Sequence, residues 1–549
     1  TCTAPMVERP GGCYRVDVTG LRLIFMFSVL LLALPARPGS DPDRKWFTLQ
    51  TEHFAVHSYD GGEDLARRVA SLAEEAYRRI NPLLGSAPTE RVHIAVIDDV
   101  DSANGYARVV PYSEITILGS PPMPQGSLSA YDDWLRLLVF HEYAHVVHLN
   151  QTSELPQFLN RIFGKSFAPN QSLPRWLTEG IATWVESRAT GVGRLESSRY
   201  KMLLRTQVLA NRLLKLRELT GVPLTPPGAS LWYLYGTVMI DEVVRGVGDE
   251  GLRRFTDWYG SRLIPYGVNL AFRRSTGKDL DEWYASMKAR VEKEARETAK
   301  RIEKRGLREG KVITKGGFYK SNPRFSPDGK RLLYTRADGR QITRLIATEW
   351  GKKSAEKQLL TCRGGCGRFD FNPNGAQLWM SSGRYHKRVN FFRDLIEVDA
   401  TRATSMDDAR VLSAGARFSQ LTAERDGSRV WGVASSWGKT WIEGRRTDNG
   451  RVDFEWRPSG YARLSGPVPS FDGQAVYFTM HADGNHDLYK LCLVRRNVER
   501  LTYGGAIEFD LRVSPDGRWL LYTSDADGVY NIYARDLGTG RTVQITNVL

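Results

Sequence analysis

Residues 323–329 read Pro323-Arg324-Phe325-Ser326-Pro327-Asp328-Gly329, and this stretch decides the fold of the C-terminal part of the chain. The proline presets the first position of a tight turn, and Asp-Gly supplies the positive φ that is needed before a strand. The run that follows, Arg331-Leu332-Leu333-Tyr334, has the apolar and aromatic character of a strand. The stretch therefore predicts two strands joined by a tight turn.

Related turns recur downstream, each followed by another short apolar run. They are Phe371-Asn372-Pro373-Asn374-Gly375, Ala423-Glu424-Arg425-Asp426-Gly427, Pro469-Ser470-Phe471-Asp472-Gly473 and Val513-Ser514-Pro515-Asp516-Gly517. The five closing glycines are 46, 52, 46 and 44 residues apart (375−329, 427−375, 473−427, 517−473). A period in the forties with several strands per unit predicts a β-propeller.

These units resemble the blades of the TolB-like family, whose repeat has the form S-P-D-G-x-x-[LI]-x-[YF]. Arg500-Leu501-Thr502 and Val543-Gln544-Ile545-Thr546-Asn547 are similar to the ends of that family's outer strands. The resemblance covers residues 311–549. TolB-like propellers usually have six blades, so the five visible repeats predict either a ring truncated from six or more blades or one that closes differently.

Upstream of the repeats, residues 45–305 have mixed α/β character that becomes mostly helical. Within them lies His141-Glu142-Tyr143-Ala144-His145, an H-E-x-x-H run between apolar residues. On a helix the two histidines share one face and can bind one metal ion, while Glu142 can act as general base on a water that the metal activates. A motif this short can arise by chance, so the residues around it decide whether it is a metal site.

A zinc hydrolase needs a third protein ligand, which leaves one position for water. Glu179 lies in Trp176-Leu177-Thr178-Glu179-Gly180-Ile181-Ala182, which resembles the W-L-x-E-G-x-A helix of gluzincins. The resemblance implies that Glu179 is the third ligand beside His141 and His145. Glu186 is either a carboxylate that orients a ligand histidine or the polar edge of the helix.

His148 is the weaker candidate ligand, because three ligands on one straight helix rarely surround an ion. The metzincin pattern also fails, since it needs glycine at position 148 and histidine at 151, where the chain has Gln151. The 34 residues from His145 to Glu179 (179−145) exceed the M1 aminopeptidase spacing. The extra segment, residues 151–174, therefore argues against membership of the M1 aminopeptidases more strongly than against a zinc site.

Two further stretches resemble gluzincins. Tyr233-Leu234-Tyr235-Gly236 is similar to a Y-x-x-G whose tyrosine stabilises the oxyanion, which implies that role for Tyr233, with Tyr235 as the alternative. Both could instead be aromatic core residues. Asn104-Gly105-Tyr106-Ala107, followed by a strand, resembles the edge strand on which substrates pair. The G-A-M-E-N signature of aminopeptidases is missing from the sequence, which favours endopeptidase or oligopeptidase action.

The net charge, the N-terminal residues and the cysteines limit the kinds of partner and the compartment that we expect for the protein. The net charge of +15 is spread along the chain, which suits solubility and weak attraction to membranes and predicts no nucleic-acid partner. Residues 1–36 contain the apolar run 23–34 and predict an export signal, or an uncleaved membrane anchor as the alternative. Cys362 and Cys366 could form a small disulfide or remain free thiols.

The sequence thus predicts a multidomain chain with a leader at 1–36, an α+β zincin-type metallopeptidase domain at 45–305 and an all-β propeller at 311–549. The predicted function is an exported, periplasmic or secreted zinc metallopeptidase that acts on peptides or proteins. Its propeller would bind an envelope protein or restrict substrate access. The alternative is a non-catalytic envelope scaffold with a degenerate peptidase domain. A serine-peptidase site is disfavoured because the chain has no G-x-S-x-G.

Overall fold

A computed structural model describes residues 43–549 except 125, 127, 130, 132, 265 and 353–355. Residues 43–549 form one compact unit. The predicted leader, 1–36, lies outside the described residues. Among the residues that are described, no helix is both long and apolar enough to span a bilayer.

A five-stranded mixed sheet opens the helical part of the chain. Its strands are β1 (Trp46–Gln50), β2 (Phe54–Tyr59), β3 (Val92–Ile97), β4 (Ala103–Arg108) and β5 (Glu114–Gly119). The spatial order is β1-β2-β3-β5-β4, with β3 parallel to β2 and β5, and with β4 antiparallel to β5. Strand β4 therefore lies at the edge of the sheet, as the sequence predicted for the stretch around Gly105.

Eight helices are described before the propeller; the first lies between β2 and β3 in the chain, and the others follow the sheet. They are α1 (Glu63–Leu84), α2 (Trp134–Asn150), α3 (Glu154–Phe163), α4 (Arg175–Thr190), α5 (Ser198–Leu209), α6 (Leu231–Gly260), α7 (Val268–Thr276) and α8 (Leu280–Lys304). Short 3₁₀ turns lie at Pro169–Ser172, Leu216–Thr220 and Gly228–Ser230. Apolar residues recur at helical spacing over residues 64–84, which predicts a helix, and in α1 that stripe is buried in the core with the sheet.

Of the helices that the spacing of apolar residues predicts after α4, one was wrong in its limits. The helix expected at 198–219 ends at Leu209, and its last residues form a separate 3₁₀ turn. The two helices expected at 230–247 and 251–259 are confirmed, since α6 consists of two helices that meet at a kink where Gly248 adopts the non-helical φ 71°. The segment 151–174, treated as an irregular insertion, contains α3.

Five four-stranded antiparallel sheets follow, and the described strands confirm five propeller blades. Each blade is a meander, in which neighbouring strands are consecutive in the chain. Blade 1 is β6 (Tyr319–Phe325), β7 (Arg331–Asp338), β8 (Gln341–Glu349) and β9 (Lys357–Thr361). Blade 2 is β10 (Phe369–Phe371), β11 (Gln377–His386), β12 (Asn390–Asp399) and β13 (Arg410–Val411). Blade 3 is β14 (Phe418–Ala423), β15 (Arg429–Ser436), β16 (Lys439–Arg446) and β17 (Val452–Trp456). Blade 4 is β18 (Arg463–Pro469), β19 (Ala475–Ala482), β20 (Asn485–Cys492) and β21 (Val498–Arg500). Blade 5 is β22 (Glu508–Val513), β23 (Trp519–Ser524), β24 (Asn531–Asp536) and β25 (Thr542–Gln544).

The repeated turn works as its residues predict. In blade 1, Gly329 has φ 69° and the Asp328 carboxylate accepts a hydrogen bond from the backbone N–H of Lys330 at 3.1 Å. Blade 5 repeats this contact between Asp516 and the N–H of Arg518 at 3.1 Å. The turn therefore fixes the register between the first two strands of the blade. Near the first blades, Cys362 and Cys366 are joined in a disulfide.

The loop after β3 docks the helical part onto the propeller. Arg417, at the entrance to β14, forms ion pairs with Asp98 and Asp101, and its Nε lies 2.7 Å from Asp101 Oδ1. The same loop pairs with blade 2, where Val100 bridges to Phe391 in parallel. These contacts hold the sheet and the propeller together in one unit.

Candidate functional site

Helix α2 lies in the core, and its sequence reflects that position. It begins at its N-cap Asp133, whose side chain accepts a hydrogen bond from the N–H of Arg136 at 3.0 Å. Apolar residues surround the helix on almost every side, so most of its side chains are buried. His141 and Glu142 are 3 % and 4 % exposed in this setting. Two polar side chains this deep need partners or a ligand.

Helix α4 brings Glu179 to α2 because α4 and α6 pack unusually closely. A Cβ added at Gly180 would lie 2.5 Å from the carbonyl carbon of Gly236, and one added at Gly236 would lie 2.1 Å from the Trp176 oxygen. Only glycine at both positions allows this approach. The close contact lies next to Glu179 in the chain and therefore sets the position of its carboxylate.

Three ligand atoms converge between α2 and α4. His141 Nε2 and His145 Nε2 are 3.2 Å apart, and each lies 3.3 Å from Glu179 Oε2. In a tetrahedral site with metal–ligand distances of about 2.0–2.2 Å, neighbouring ligand atoms are separated by roughly 3.3–3.6 Å. The triangle matches one face of such a tetrahedron. Two imidazoles and one carboxylate are a donor set that Zn²⁺ accepts.

Glu186, two helical turns beyond Glu179, lies behind the triangle. Its Oε2 is 2.9 Å from His141 Nδ1, and the side chain is fully buried. A carboxylate only accepts hydrogen bonds, so His141 Nδ1 carries the proton and Nε2 faces the other two ligand atoms. Of the two sequence interpretations of Glu186, the geometry agrees with the orienting carboxylate and not with a polar helix edge.

Arg194 adds a buried positive charge that the sequence analysis missed. Its Nη1 lies 3.3 Å from Glu186 Oε2, and its guanidinium lies over the ring of Tyr233 at 4.9 Å from the centroid. Nearby Glu186 raises the pKa of Arg194 although burial opposes its charge. Arg194 follows a glycine-rich turn without any recognisable motif, so no local sequence signal marks it.

Without a metal, the triangle is a proton-sharing cluster. Burial disfavours the imidazolium of His141, but hydrogen bonds to Glu179 and Glu186 outweigh burial and raise the pKa of His141 to about 9. Burial likewise disfavours the Glu179 carboxylate, yet His141 and His145 hold the pKa of that carboxyl far below its usual value. A metal would therefore replace a proton on His141 Nε2, and its binding would be weaker at lower pH.

Glu142 points toward the edge strand of the sheet. A Cβ added at Gly105, in β4, would lie 2.7 Å from Glu142 Cγ, so only glycine leaves room for this carboxylate. Burial raises the pKa of Glu142, and the neighbouring His141 and His145 oppose that rise. The structure therefore places the predicted general base between the ligand helix and the exposed edge of the sheet.

The two tyrosines in the Y-x-x-G-like stretch face different surroundings. The ring of Tyr233 lies 5.9 Å from that of His141, and burial raises the pKa of its hydroxyl. Tyr235 is fully buried, donates to Gln207 Oε1 at 2.5 Å and accepts from the N–H of Leu214 at 3.0 Å. Tyr233 is thus the tyrosine beside the candidate ligands, and Tyr235 connects helices.

His148 does not belong to the ligand group. Among the described residues, the group that could hold a metal consists of His141, His145 and Glu179. His148 is fully buried one turn further along α2, and burial lowers its pKa to about 3, so its ring is neutral. A contact between His148 and a substrate is incompatible with this burial.

Comparison with known proteins adds information on the propeller. No protein-family description matches the chain. A 73-residue segment is 30 % identical to the TolB homolog of Chlorobaculum tepidum and covers 13 % of this chain and 17 % of that protein. The chain thus spans about a sixth of the curated relative that it matches. Together with the five blades, this match identifies the propeller as TolB-like.

Solved structures with a similar arrangement are only distantly related. TolB of Agrobacterium tumefaciens is 18 % identical and gives a TM-score of 0.36, over 42 % of this chain and 82 % of that chain. TolB of Acinetobacter baumannii is also 18 % identical, with a TM-score of 0.33 over 42 % and 53 %. A puromycin-hydrolysing peptidase of Mycobacterium tuberculosis is 14 % identical, with a TM-score of 0.33 over 44 % and 40 %.

Proposed function

We propose that the protein is a zinc-dependent metallopeptidase of the gluzincin type whose TolB-like propeller binds proteins or restricts access to the site. The observation that carries the proposal is the triangle of His141 Nε2, His145 Nε2 and Glu179 Oε2, with sides of 3.2–3.3 Å. These atoms come from two helices and are 34 and 38 residues apart along the chain. A structural ion pair does not need two imidazole nitrogens at this separation.

Each residue around the triangle has a distinct part in peptide hydrolysis. A zinc ion bound there would supply a Lewis acid that polarises the scissile carbonyl and brings the pKa of water toward about 7. Glu142 accepts the proton of the attacking water and passes it to the leaving amine. The Tyr233 hydroxyl donates to the oxyanion that develops on the substrate. Glu186 holds His141 in the ligating orientation.

The edge of the sheet provides a place for the substrate. Strand β4 has one free edge and runs past Glu142 at Gly105. A peptide in extended conformation can pair with such an edge through its backbone, which positions the scissile bond without a fixed side-chain preference. Internal peptide bonds suit this mode better than a free N-terminus, so we favour endopeptidase or oligopeptidase action. Export to the cell envelope remains a prediction from residues 1–36.

The alternative is a scaffold that has lost catalysis. The set of ligand atoms, general base and orienting carboxylate favours the enzyme, because a site released from selection has no reason to keep Glu142 and Glu186 buried at 4 % and 0 % exposure. Burying ionisable groups without a task is costly. The peptidase and the scaffold differ in two measurable properties, the zinc content and the hydrolysis of a protein substrate.

The experiment compares wild-type protein with Glu142→Gln for zinc content and for hydrolysis of an unstructured protein substrate. The variant should keep one zinc per chain, since Glu142 is not a ligand, and should lose about 10²–10⁴-fold in turnover, the usual contribution of a general base. Glu196→Gln is the control, because the Glu196 side chain is 65 % exposed and pairs with Lys201 on the surface. Absence of stoichiometric zinc, or a Glu142→Gln variant as active as the wild type, would leave the scaffold as the correct reading.

A further inference from the structure

Helix α3 exposes its apolar face to solvent. Leu155, Phe158 and Ile162 lie on one side of the helix, at i, i+3 and i+7, and are 49 %, 56 % and 57 % exposed. Phe163, at the end of the helix, is 69 % exposed. A surface helix of a globular protein normally turns such a face to the core. The opposite orientation needs an explanation.

Toward the protein, α3 presents the buried Pro156 and a polar side that borders an open cavity. Gln157, Asn160 and Arg161 line a cavity of about 820 Å³ beside the ends of α1 and α2. Asn160 fixes the helix in this rotation, because its side chain accepts from the N–H groups of Ser166 and Phe167 at 3.0 and 2.8 Å and donates to the Phe167 oxygen at 2.8 Å. The helix therefore cannot rotate its apolar face inward without breaking three hydrogen bonds.

A second apolar segment begins beside the N-terminus of α3. The N–H of Ser153 donates to the Gly260 oxygen at 3.4 Å, which joins the start of α3 to the end of α6. The loop after α6 then exposes Leu263, Ile264 and Tyr266 at 44 %, 70 % and 81 %. We call the exposed side chains of both segments the apolar platform: Leu155, Phe158, Ile162, Phe163, Leu263, Ile264 and Tyr266.

The platform is large for a protein without a partner. An aromatic side chain carries about 150–250 Å² of surface, so Phe158 and Phe163 alone leave roughly 200–300 Å² exposed. The aliphatic residues and Tyr266 bring the total above the few hundred Å² that single proteins usually expose. Such a patch marks a contact surface.

Two cations adjoin the platform. Arg161 directly precedes Ile162 in α3, and Arg262 directly precedes Leu263 in the loop after α6. Neither makes an ion pair with a carboxylate in the part of the chain that the structure describes. Glu154 is the acidic residue of α3, at its first position. The chain as a whole carries +15.

We propose that the apolar platform seats the protein on an anionic lipid bilayer, with α3 lying in the plane of the interface. An outward apolar face with a cationic rim is the pattern of helices that bind membrane surfaces without crossing them. A second copy of the chain fits less well, since a two-fold contact would place the like-charged rims opposite each other. The proposal is independent of the peptidase activity.

The test is flotation of residues 43–549 with lipid vesicles, because this unit is compact by itself and omits the apolar run 23–34. The protein should float with vesicles that contain phosphatidylglycerol and much less with pure phosphatidylcholine. Phe158→Ser with Ile162→Ser should lower the partition coefficient at least tenfold. Arg161→Gln with Arg262→Gln should lower it roughly fivefold per charge on anionic vesicles only.

The matched control is Val494→Ser with Tyr503→Ser, which removes two side chains that are 78 % and 76 % exposed on the propeller. It should leave flotation unchanged. Equal flotation of the Phe158→Ser/Ile162→Ser variant and the wild type would overturn the proposal. It would also be overturned by a wild type that ignores vesicles and is a dimer in light scattering, with the platform variant a monomer, because the occupant would then be a second copy.

Discussion

At the scale of single residues, Glu186 sets how well the triangle binds a metal. Its Oε2 lies 2.9 Å from His141 Nδ1 and 3.3 Å from Arg194 Nη1, so one oxygen orients the ligand and pairs with a buried cation. We expect Glu186→Gln to weaken zinc binding about 10–100-fold, because the amide is a poorer partner for the imidazole N–H. Competition with a chromophoric chelator measures the affinity.

If Glu186 had only a structural role, the Glu186→Gln variant would behave differently. It would lower thermal stability without changing the affinity of the folded protein for zinc. Glu196→Gln, which alters an exposed pair, should match the wild type in both measurements. Unchanged zinc affinity in Glu186→Gln would contradict the orienting role.

The sequence predicted the arrangement of site residues that lie close together in the chain. The spacing of His141 and His145 on one helix follows from 3.6 residues per turn, and the structure brings both to Glu179. Arg194 lies only eight residues beyond Glu186, yet it reaches the site through a turn that no periodic pattern describes. Distinguishing Tyr233 from Tyr235 likewise needed the actual rotation of α6, since both belong to one aromatic stretch.

At the scale of elements, the contact of α4 with α6 positions the third ligand. A Cβ at Gly236 would lie 2.1 Å from the Trp176 oxygen and 2.8 Å from Gly180 Cα, both backbone atoms that cannot move aside. We expect Gly236→Ala to separate the helices, to lower the free energy of unfolding by about 1–3 kcal/mol or more, and to reduce zinc content. Urea unfolding and metal analysis check both effects.

The direction of the stability change in Gly236→Ala reveals its cause. In an unpacked helix, alanine is more favourable than glycine by about 1 kcal/mol, so destabilisation can arise only from the helix contact. Gly221→Ala is the control, because no atom lies within 4 Å of its added Cβ. A Gly236→Ala protein with wild-type stability and full zinc content would mean that the helices can shift without consequence for the site.

Elements were predictable where a strong local signal exists. The Pro-Asp-Gly and related turns recur with hydrogen bonds that hold the register of each blade, so the number of blades followed from sequence alone. Helix α3 was missed because its apolar residues are interrupted by Pro156 and because its face points outward. Helix α6 is broken at Gly248, where the glycine adopts a positive φ, in agreement with the two helices that the sequence pattern favours on either side of it.

At the scale of the whole molecule, no sequence pattern indicated how the two parts dock. Arg417 reaches Asp98 across 319 residues of chain, and contacts of that separation leave no periodic trace. The site and the propeller are nevertheless connected through short paths, because β3 ends at Ile97 and its loop holds both Asp98 and Asp101. The docking therefore links the sheet that flanks Glu142 to blades 2 and 3.

A buried cluster of ion pairs around Arg417 stabilises this docking. Arg417 is buried, and its charge faces two carboxylates that have side-chain exposures of 1 % and 7 %. Arg417→Met would remove the ion-pair partner that Asp98 and Asp101 share while both stay buried, which typically costs about 3–5 kcal/mol. We expect scanning calorimetry of the variant to resolve separate transitions for the helical part and the propeller. Lys439→Met removes another ion pair across the same contact, but Lys439 and Asp64 are 43 % and 61 % exposed, so solvent screens the pair and its loss should hardly change stability. If both variants melt alike, the buried pair does not hold the two parts together and the apolar contacts around Trp437 carry the docking instead.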